Sequence, residues 1–186
     1  MFWYERNEVK MDEEILIKYI ETTSKCNYSC PICVQRTRNC HMDMNDFYSI
    51  IDNNLDLFYK KAIWMDFNGE PLVDPYFFDR VKYMHSKGIN TRISTNGALL
   101  NEENRMKMAN SGISYVVVSI GTLNPELYKQ IRGVDNLSNV LNNLIELKKC
   151  IDKVGVKTEL QAVMIDTGES LNRDEFIEYF HKLGIN

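Results

Sequence analysis

The strongest constraint on the fold is a regular alternation of apolar, strand-like runs with amphipathic, helix-like stretches along the chain. Five short runs rich in Ile, Val and aromatic residues predict strands, and each is followed by apolar residues at helical intervals. Strictly alternating units predict parallel strands joined by right-handed crossovers, with the helices outside. The predicted strands are residues 14–21, 61–67, 90–95, 115–120 and 157–165.

The predicted helices have recognisable ends. Asn45 and Asp46 are predicted to cap the first helix, and Asp74 with Pro75 is predicted to begin the second. Gly88 is predicted to end that second helix, because glycine commonly follows a helix C-terminus. The predicted helices are residues 47–57, 74–87, 101–111, 125–131, 138–153 and 172–183.

These units predict an α/β fold in one domain over residues 1–186, a length that suits one substantial core. About five strand–helix units are compatible with a partial, TIM-like (β/α) barrel of parallel strands with outer helices, or with an open doubly wound sheet. In both architectures, ligands bind where the strands end and the loops begin.

Composition narrows the class of protein. Lys and Arg number 22 against 26 Asp and Glu, and the resulting net charge of −4 argues against a nucleic-acid-binding protein. Residues 1–8 carry charge at once, which predicts neither a secretory signal nor a membrane anchor, and the longest apolar runs are strand-sized. The sequence therefore predicts a cytoplasmic protein that makes no use of a membrane.

Three of the five cysteines lie on one short segment with the spacing C-x3-C-x2-C, at Cys26, Cys30 and Cys33. The odd count and the absence of a signal argue against a disulfide scaffold. A [4Fe–4S] cube usually takes four cysteines, so three would leave one iron open to a ligand from outside the protein. A structural zinc site with His41 as a fourth ligand is the alternative.

Polar segments follow the next three predicted strands, at residues 68–71, at residues 94–96 and at Ser119. Taken singly, the Asn-Gly pairs in the first two are ordinary turn formers, and Arg132 is an ordinary cation at a helix end. Their order behind the cysteines, at one edge of the predicted sheet, indicates a shared site instead.

In this order of segments the chain resembles the radical S-adenosylmethionine (SAM) enzymes over roughly residues 15–184. The cysteine spacing is similar to that of the loop that binds their iron–sulfur cluster. The later segments resemble their Gly-Gly-Glu-Pro, Ser-Thr-Asn-Gly and Ser-x-Asp-Gly motifs, the last followed by Tyr-x-x-Ile-Arg. The matching segments are residues 26–33, 68–71, 93–97, 118–121 and 128–133.

Two positions depart from the family pattern, since Asn68 replaces the first glycine of Gly-Gly-Glu-Pro and Gly121 stands where aspartate is usual. The chain is most similar to the branch whose members often carry a C-terminal SPASM or twitch extension. In that branch Cys-Pro-x-Cys, Met-Asp and a helix ending in Ile-Ile-Asp follow one another, as residues 30–33, 42–43 and 50–52 do here.

The resemblance implies a site that holds a cluster and SAM. It implies that Cys26, Cys30 and Cys33 hold three irons of a [4Fe–4S] cluster, while the amino and carboxylate groups of SAM chelate the fourth. The other implied SAM contacts are Ile32 (adenine), Asn68, Gly69, Glu70 and Pro71 (ammonium), Ser94 and Thr95 (ribose), Asn96 in the same segment, and Ser119 and Arg132 (ribose and carboxylate).

The implied activity is reductive cleavage of SAM to methionine and a 5′-deoxyadenosyl radical, which takes hydrogen from a peptide or a small biosynthetic substrate. A reducing partner such as flavodoxin or ferredoxin is implied as well. The sequence ends where the family begins a sixth strand. The alternative is therefore a non-catalytic metal-binding fragment, holding iron–sulfur or zinc, or one completed by a second polypeptide.

Overall fold

The core of the fold is a four-stranded parallel sheet in a computed structural model that describes residues 16–33, 39–58, 60–165 and 173–186. The strands lie in the order in which they occur in the sequence, and each pairs in parallel with its neighbour. This arrangement confirms the predicted α/β class and the partial barrel of parallel strands. The strands are β1 (Ile63–Trp64), β2 (Thr91–Thr95), β3 (Tyr115–Gly121) and β4 (Glu159–Met164).

Six α-helices surround the sheet among the described residues, with 3₁₀ turns at Leu55–Leu57 and Pro71–Val73. In that part of the chain, none of the helices combines the length and apolar character needed to cross a bilayer. The helices are α1 (Met44–Asp52), α2 (Phe77–Ser86), α3 (Glu102–Ala109), α4 (Pro125–Arg132), α5 (Leu137–Val154) and α6 (Arg173–Lys182).

The first two predicted strands are less regular than expected. Residues 14 and 15 lie outside the described residues, and the rest of the first run makes only isolated parallel bridges, from Ile17 to Phe58 and from Tyr19 to Trp64. The second strand shortens to two residues. Its pairing stops because the side chain of Asp66, rather than a backbone carbonyl, accepts the next amide of β2 at 2.7 Å.

Two predicted helix starts are displaced. Asp43 caps α1, accepting from the Asn45 amide at 2.7 Å, so the predicted caps lie inside the helix. The second helix begins at Phe77 rather than at Asp74, whose buried carboxylate pairs with Arg80 at 2.9 Å. An ion pair with a residue in the first turn of α2 replaces the expected cap. The third helix begins within one residue of its predicted start, and Asn101 caps it.

Alternation along the strands gives the sheet two different faces. Buried side chains such as Ile93 and Val118 belong to the hydrophobic core that includes Val140 and Leu144 of α5. We call the opposite side the open face. Apart from the buried Val117, its side chains are partly buried or exposed, and they include Trp64, Asp66, Arg92, Ser94, Tyr115, Ser119, Glu159 and Gln161.

A row of aromatic rings and one guanidinium crosses the open face near the beginnings of the strands. The rings of Tyr19 and Trp64 stack with centroids 6.2 Å apart. The Arg92 guanidinium lies 4.2 Å from the Trp64 ring and 5.6 Å from that of Tyr115, distances suited to cation–π attraction. Arg92 also donates to the Gln161 side chain at 2.6 Å. This row fills the N-terminal end of the open face, while the strands' other ends carry the polar segments.

The parallel pairing continues beyond β4. The Asn186 amide donates to the Leu160 carbonyl at 3.1 Å, and the Asn186 carbonyl accepts from the Ala162 amide at 2.7 Å. These two bonds follow the parallel pattern, in which one residue bonds to the residues directly before and directly after its partner on the neighbouring strand.

Candidate metal centre and cofactor site

The three clustered cysteines lie on one loop, and none of them belongs to a disulfide. The Cys33 amide donates to the Cys30 carbonyl at 3.0 Å, and the Tyr28 amide donates to the Cys26 sulfur at 3.4 Å. Although Cys26 is an exposed residue, partial burial of its sulfur raises its pKa, and the charges of Glu70, Cys30 and Cys33 raise it further, against the lowering effect of the Tyr28 amide.

This donor set fits a multi-iron cluster. In a cubane each cysteine binds a different iron, so the sulfurs stand further apart than around a single ion. Three cysteine thiols are the kind of ligand that holds such a cluster. The backbone of His41, the fourth ligand of the zinc alternative, forms an antiparallel bridge with Thr23, and its buried Nδ1 hydrogen-bonds to no group in the described residues.

The cysteine loop is closed at its base by the chain that enters it and the chain that leaves it. The Ser24 amide donates to the Cys40 carbonyl at 3.0 Å, and the Met42 amide donates to the Thr22 carbonyl at 2.8 Å. The Cys40 thiol lies 3.5 Å from the Ser24 hydroxyl. Cys40 therefore belongs to the base of the loop.

The turn at residues 68–71 is clamped onto the segment that leads into the cysteine loop. A carboxylate oxygen of Glu21 accepts from the Asn68 amide at 2.6 Å and from the Gly69 amide at 3.3 Å. The Glu70 amide donates to the Lys25 carbonyl at 2.8 Å. Sequence analysis missed the role of Glu21. Its position two residues after Tyr19 places both residues on the same face of the first predicted strand, and this is the signal that the sequence offers.

Glu70 joins this turn to the end of β2. Its side chain is 2% exposed, and its carboxylate accepts from the Thr95 hydroxyl at 2.6 Å and the Asn96 amide at 2.7 Å. Burial raises the pKa of Glu70, while these bonds and the charge of Arg132 oppose the rise. Both carboxylate oxygens thus have protein donors, so Glu70 fixes the turn against β2. A contact with the SAM ammonium stays a prediction.

The end of β2 is also tied to the cysteine loop and to β3. The Asn96 side-chain amide donates to the Asn27 side chain at 2.8 Å, next to Cys26. The hydroxyls of Ser94 and Ser119 lie 2.9 Å apart on the open face. The structure therefore brings the predicted residues of β2 and β3 together, and it adds Asn27 as a contact that sequence analysis missed.

Arg132 lies at the last position of α4 and is mostly buried. Its guanidinium donates to the Ser119 carbonyl, while its Nε is buried and hydrogen-bonds to no group in the described part of the chain. A ligand carboxylate would satisfy this donor, because a guanidinium can present two parallel N–H bonds to a carboxylate. The orphaned Nε therefore fits the predicted carboxylate of SAM.

Two predicted contact residues differ sharply in exposure. Ile32, between two of the cysteines, is 51% exposed and leaves an apolar side chain available to a ring. Pro71 is buried as the first residue of a 3₁₀ turn. Their contacts with adenine and ammonium stay predictions.

Asp66 is an acidic residue on the open face that sequence analysis missed. Burial raises its pKa to about 7, and the charges of Glu70 and Glu21 add to the rise, while the Ser94 amide and Arg92 oppose it. The signal in the sequence is a carboxylate two residues after Trp64, on the same side of a short apolar strand.

Asp66→Asn is expected to make stability less dependent on pH. Since the folded-state pKa of Asp66 lies above its ordinary value of 3.8, wild-type folding loses stability as pH rises from about 4 through about 7. Asparagine keeps an oxygen for the Ser94 amide and does not titrate. Urea unfolding at pH 5 and pH 8 gives the free energy of unfolding of both proteins. Relative to wild type, the free energy of unfolding of the variant should be higher at pH 8 than at pH 5, by about 1.4 kcal/mol for each unit by which folding raises the pKa of Asp66. Parallel pH profiles for the two proteins would contradict the assignment.

Comparison with known proteins yields a family match over most of the chain. The sequence pattern of the radical SAM superfamily matches residues 20–183. The tungsten-containing aldehyde ferredoxin oxidoreductase cofactor-modifying protein of Pyrococcus furiosus is 29% identical over 178 residues, covering 90% of this chain and 49% of that protein. A probable GTP 3′,8-cyclase of Methanocaldococcus jannaschii is 34% identical over 150 residues, covering 77% of this chain and 48% of its own length. The chain spans about half the length of these relatives.

A solved structure shares the fold. Streptococcus suis SuiB bound to the precursor peptide SuiA matches with a TM-score of 0.73 over 92% of this chain and 38% of SuiB, at 20% sequence identity. At that identity the likeness concerns the arrangement of strands and helices alone.

Proposed function

Because the chain belongs to the radical SAM superfamily, whose members use a [4Fe–4S] cluster and SAM, we propose that it is the core of an enzyme that cleaves SAM reductively. Cys26, Cys30 and Cys33 would hold the cluster. When bound, the cluster and SAM supply an electron and a sulfonium whose C5′–S bond breaks to give methionine and a radical that takes hydrogen from a substrate. We further propose that residues 1–186 form a single core domain.

The observation that carries the proposal is the joining of the cysteine loop to the turn after β1 and to the end of β2 by direct hydrogen bonds. The Lys25 carbonyl accepts from the Glu70 amide, and the Glu70 carboxylate accepts from the Thr95 hydroxyl and the Asn96 amide. The Asn96 side-chain amide in turn donates to the side chain of Asn27 in the cysteine loop. These contacts keep the three thiols, the turn at residues 68–71 and the end of β2 in one unit. A turn-forming or solvated role for each segment alone does not explain such a closed set of contacts.

The residues of this unit have separate tasks in the proposed reaction. Arg132 would orient the SAM carboxylate through its orphaned Nε, and the Ser94–Ser119 pair would offer hydroxyls to the ribose. Glu70 would keep the turn at residues 68–71 in register with β2. The aromatic row at the other end of the open face would exclude water from below the site.

The activity is tested by anaerobic reconstitution with iron and sulfide, reduction with dithionite, and measurement of 5′-deoxyadenosine formed from SAM. We expect a brown protein that forms 5′-deoxyadenosine. A protein that holds iron and sulfide and never cleaves SAM would remove the catalytic part of the proposal. One zinc per chain without labile sulfide would favour the structural-zinc alternative.

Cys30→Ala is expected to abolish the iron–sulfur absorption near ~400 nm, because a cluster held by three thiolates loses a third of its protein ligands. Iron and sulfide content per chain should fall with it. Cys150→Ala is the matched control, since this cysteine lies in α5 and packs against the hydrophobic core. Absorption that survives in Cys26→Ala, Cys30→Ala and Cys33→Ala alike would show that another set of ligands holds the metal.

For the substrate we propose a peptide or a small biosynthetic molecule. The names of the relatives refer to cofactor modification and to GTP cyclisation, and SuiB was solved with a peptide. The open face carries two acidic residues, Asp66 and Glu159, and one guanidinium, that of Arg92. A face without a surplus of positive charge disfavours a polyanion such as RNA.

We propose a reducing partner such as flavodoxin or ferredoxin for the electron. Cys26 and Cys33 are exposed, so this side of the loop is open to another protein. A second polypeptide that completes the barrel also stays a prediction.

A further inference from the structure

Two aromatic rings in contact with each other stay exposed beside the open face, just beyond the end of β1. Tyr19 is 53% exposed and Phe67 is 64% exposed. Their ring centroids lie 6.0 Å apart in an edge-to-face arrangement, and Tyr19 also stacks on Trp64. Single exposed apolar residues are ordinary on a protein surface, whereas a contiguous group of them marks a place where a ligand or partner binds.

Each of the two exposed rings has a carboxylate beside it. Asp66 directly precedes Phe67, and Glu21 follows Tyr19 by two residues on the same face of the first run. Both carboxylates accept from backbone amides, Asp66 from that of Ser94 at 2.7 Å. Neither forms an ion pair with a described residue. The rings are therefore flanked by carboxylates to which no cation of that part of the chain is bound.

Arg92, a cation on the open face, is engaged with other groups. Its guanidinium lies 4.2 Å from the Trp64 ring and 5.6 Å from that of Tyr115, and it donates to Gln161 at 2.6 Å. In the described ranges it makes no ion pair with Asp66. The surroundings of the exposed rings thus combine aromatic faces with negative charge, a combination that attracts cations.

We propose that Tyr19 and Phe67, together with Asp66 and Glu21, bind a cationic group of the substrate, an ammonium or a guanidinium. The inference rests on the proposed function, because it names the class of substrate that the same site takes. Aromatic faces attract such a group through their quadrupoles, and the neighbouring carboxylates add direct charge attraction. A substrate rich in phosphate would instead meet like charge at this position.

The cation site lies next to the residues proposed to contact the ribose of SAM. Asp66 bonds to the amide of Ser94, and the Ser94 hydroxyl lies 2.9 Å from that of Ser119. A substrate held by its cation at Asp66 would therefore lie beside the ribose end of SAM. Tyr19 and Phe67 are specificity-determining residues in this account, since they hold the substrate and take no part in breaking bonds.

The test measures how two short capped peptides bind to the reconstituted protein with SAM present, by anaerobic calorimetric titration. One peptide carries a single lysine, and the other carries acetyl-lysine, which removes the charge. We expect the lysine peptide to bind about tenfold more tightly. The titration is run at pH 8, because burial raises the pKa of Asp66 to about 7 and its carboxylate is charged above that value.

Two variants and two matched controls assign the preference to these residues. Phe67→Leu keeps an apolar side chain without the ring, and Asp66→Asn removes the charge while keeping an oxygen for the Ser94 amide. We expect both variants to lower the preference for lysine. Tyr76→Leu removes a ring that is 49% exposed before α2, and Glu103→Gln removes an exposed carboxylate on α3, so both controls should keep the wild-type preference.

The outcomes separate this inference from the proposed function. Equal binding of the two peptides to wild type, or an unchanged preference in both variants, would overturn the cation site. Formation of 5′-deoxyadenosine by the same preparation would then leave the proposed function standing. If Phe67→Leu weakens the binding of SAM and leaves the peptide preference intact, the rings belong to the cofactor site and the inference is wrong. A protein that prefers the lysine peptide but never cleaves SAM would support the cation site and contradict the proposed activity.

Discussion

Gly69→Ala is expected to destabilise the chain severely and to reduce the iron it can hold. A Cβ at this position would lie 2.1 Å from the Thr23 carbonyl oxygen and 2.8 Å from the Lys25 carbonyl oxygen. Both obstacles are backbone atoms of the segment that leads to Cys26, so the turn and that segment have to move apart. Overpacking of this kind costs about 3 kcal/mol or more when side chains cannot yield.

The loss of iron follows from the same displacement. Moving residue 69 away from Thr23 breaks the bonds from the Asn68 and Gly69 amides to Glu21 and from the Glu70 amide to Lys25. These bonds hold the cysteine loop against the turn, so we expect weaker cluster assembly as well as weaker folding. Urea unfolding and iron per chain after reconstitution measure the two effects.

Gly88→Ala separates the steric effect from the general cost of replacing a glycine. Gly88 has a φ of +74°, and a Cβ there would meet nothing within 4 Å. Only the left-handed backbone is then strained, at a cost of about 1–2 kcal/mol, and the site is untouched. Equal losses of stability in Gly69→Ala and Gly88→Ala, with equal iron content, would show that the close approach at Gly69 is not required.

Elements with strong local signals could be predicted from the sequence. The boundaries of β3, α4 and α5 differ from the prediction by one residue at most at each end, because apolar periodicity and the Gly133 and Gly155 C-caps define them locally. The cysteine spacing is local in the same sense. The ordering of polar segments at strand ends follows from parallel topology, which the alternation of strands and helices already implies.

Contacts between distant residues could not be predicted. Asp66 ends β1 early by bonding to Ser94, 28 residues away, and Asn27 meets Asn96 across 69 residues. Nothing in the local pattern around a carboxylate or an amide says which distant amide it will meet. The site's cross-links therefore appear only once the strands are placed side by side.

The misplaced start of α2 has the same origin, and it leads to the second large effect. Asp74 followed by Pro75 has the local pattern of a helix cap, yet both Asp74 and Arg80 have fully buried side chains and bond at 2.9 Å. The Arg80 guanidinium also donates to the Met42 carbonyl and lies 4.9 Å from the Phe47 ring. The pair thus joins α2 to α1 and to the chain that leaves the cysteine loop.

Asp74→Ala is expected to destabilise the protein by about 3–5 kcal/mol, because it leaves a buried guanidinium without its counter-charge. One nitrogen of Arg80, Nη1, already has no hydrogen-bond partner in the described residues, so no spare acceptor stands ready to replace the carboxylate. Urea unfolding at neutral pH measures the loss. Glu103→Ala removes an exposed ion pair with Lys107 on α3 and should cost less than about 1 kcal/mol.

Removing both charges distinguishes an unpaired buried charge from a simple loss of packing. Arg80→Met combined with Asp74→Ala takes away the guanidinium whose desolvation makes the single change costly, so the double variant should be more stable than Asp74→Ala alone. It also loses the bond to the Met42 carbonyl, so it should remain below wild type. If the double variant is destabilised by the sum of the two single changes, the two side chains contribute independently. The buried pair would then not be what joins α2 to the base of the cysteine loop.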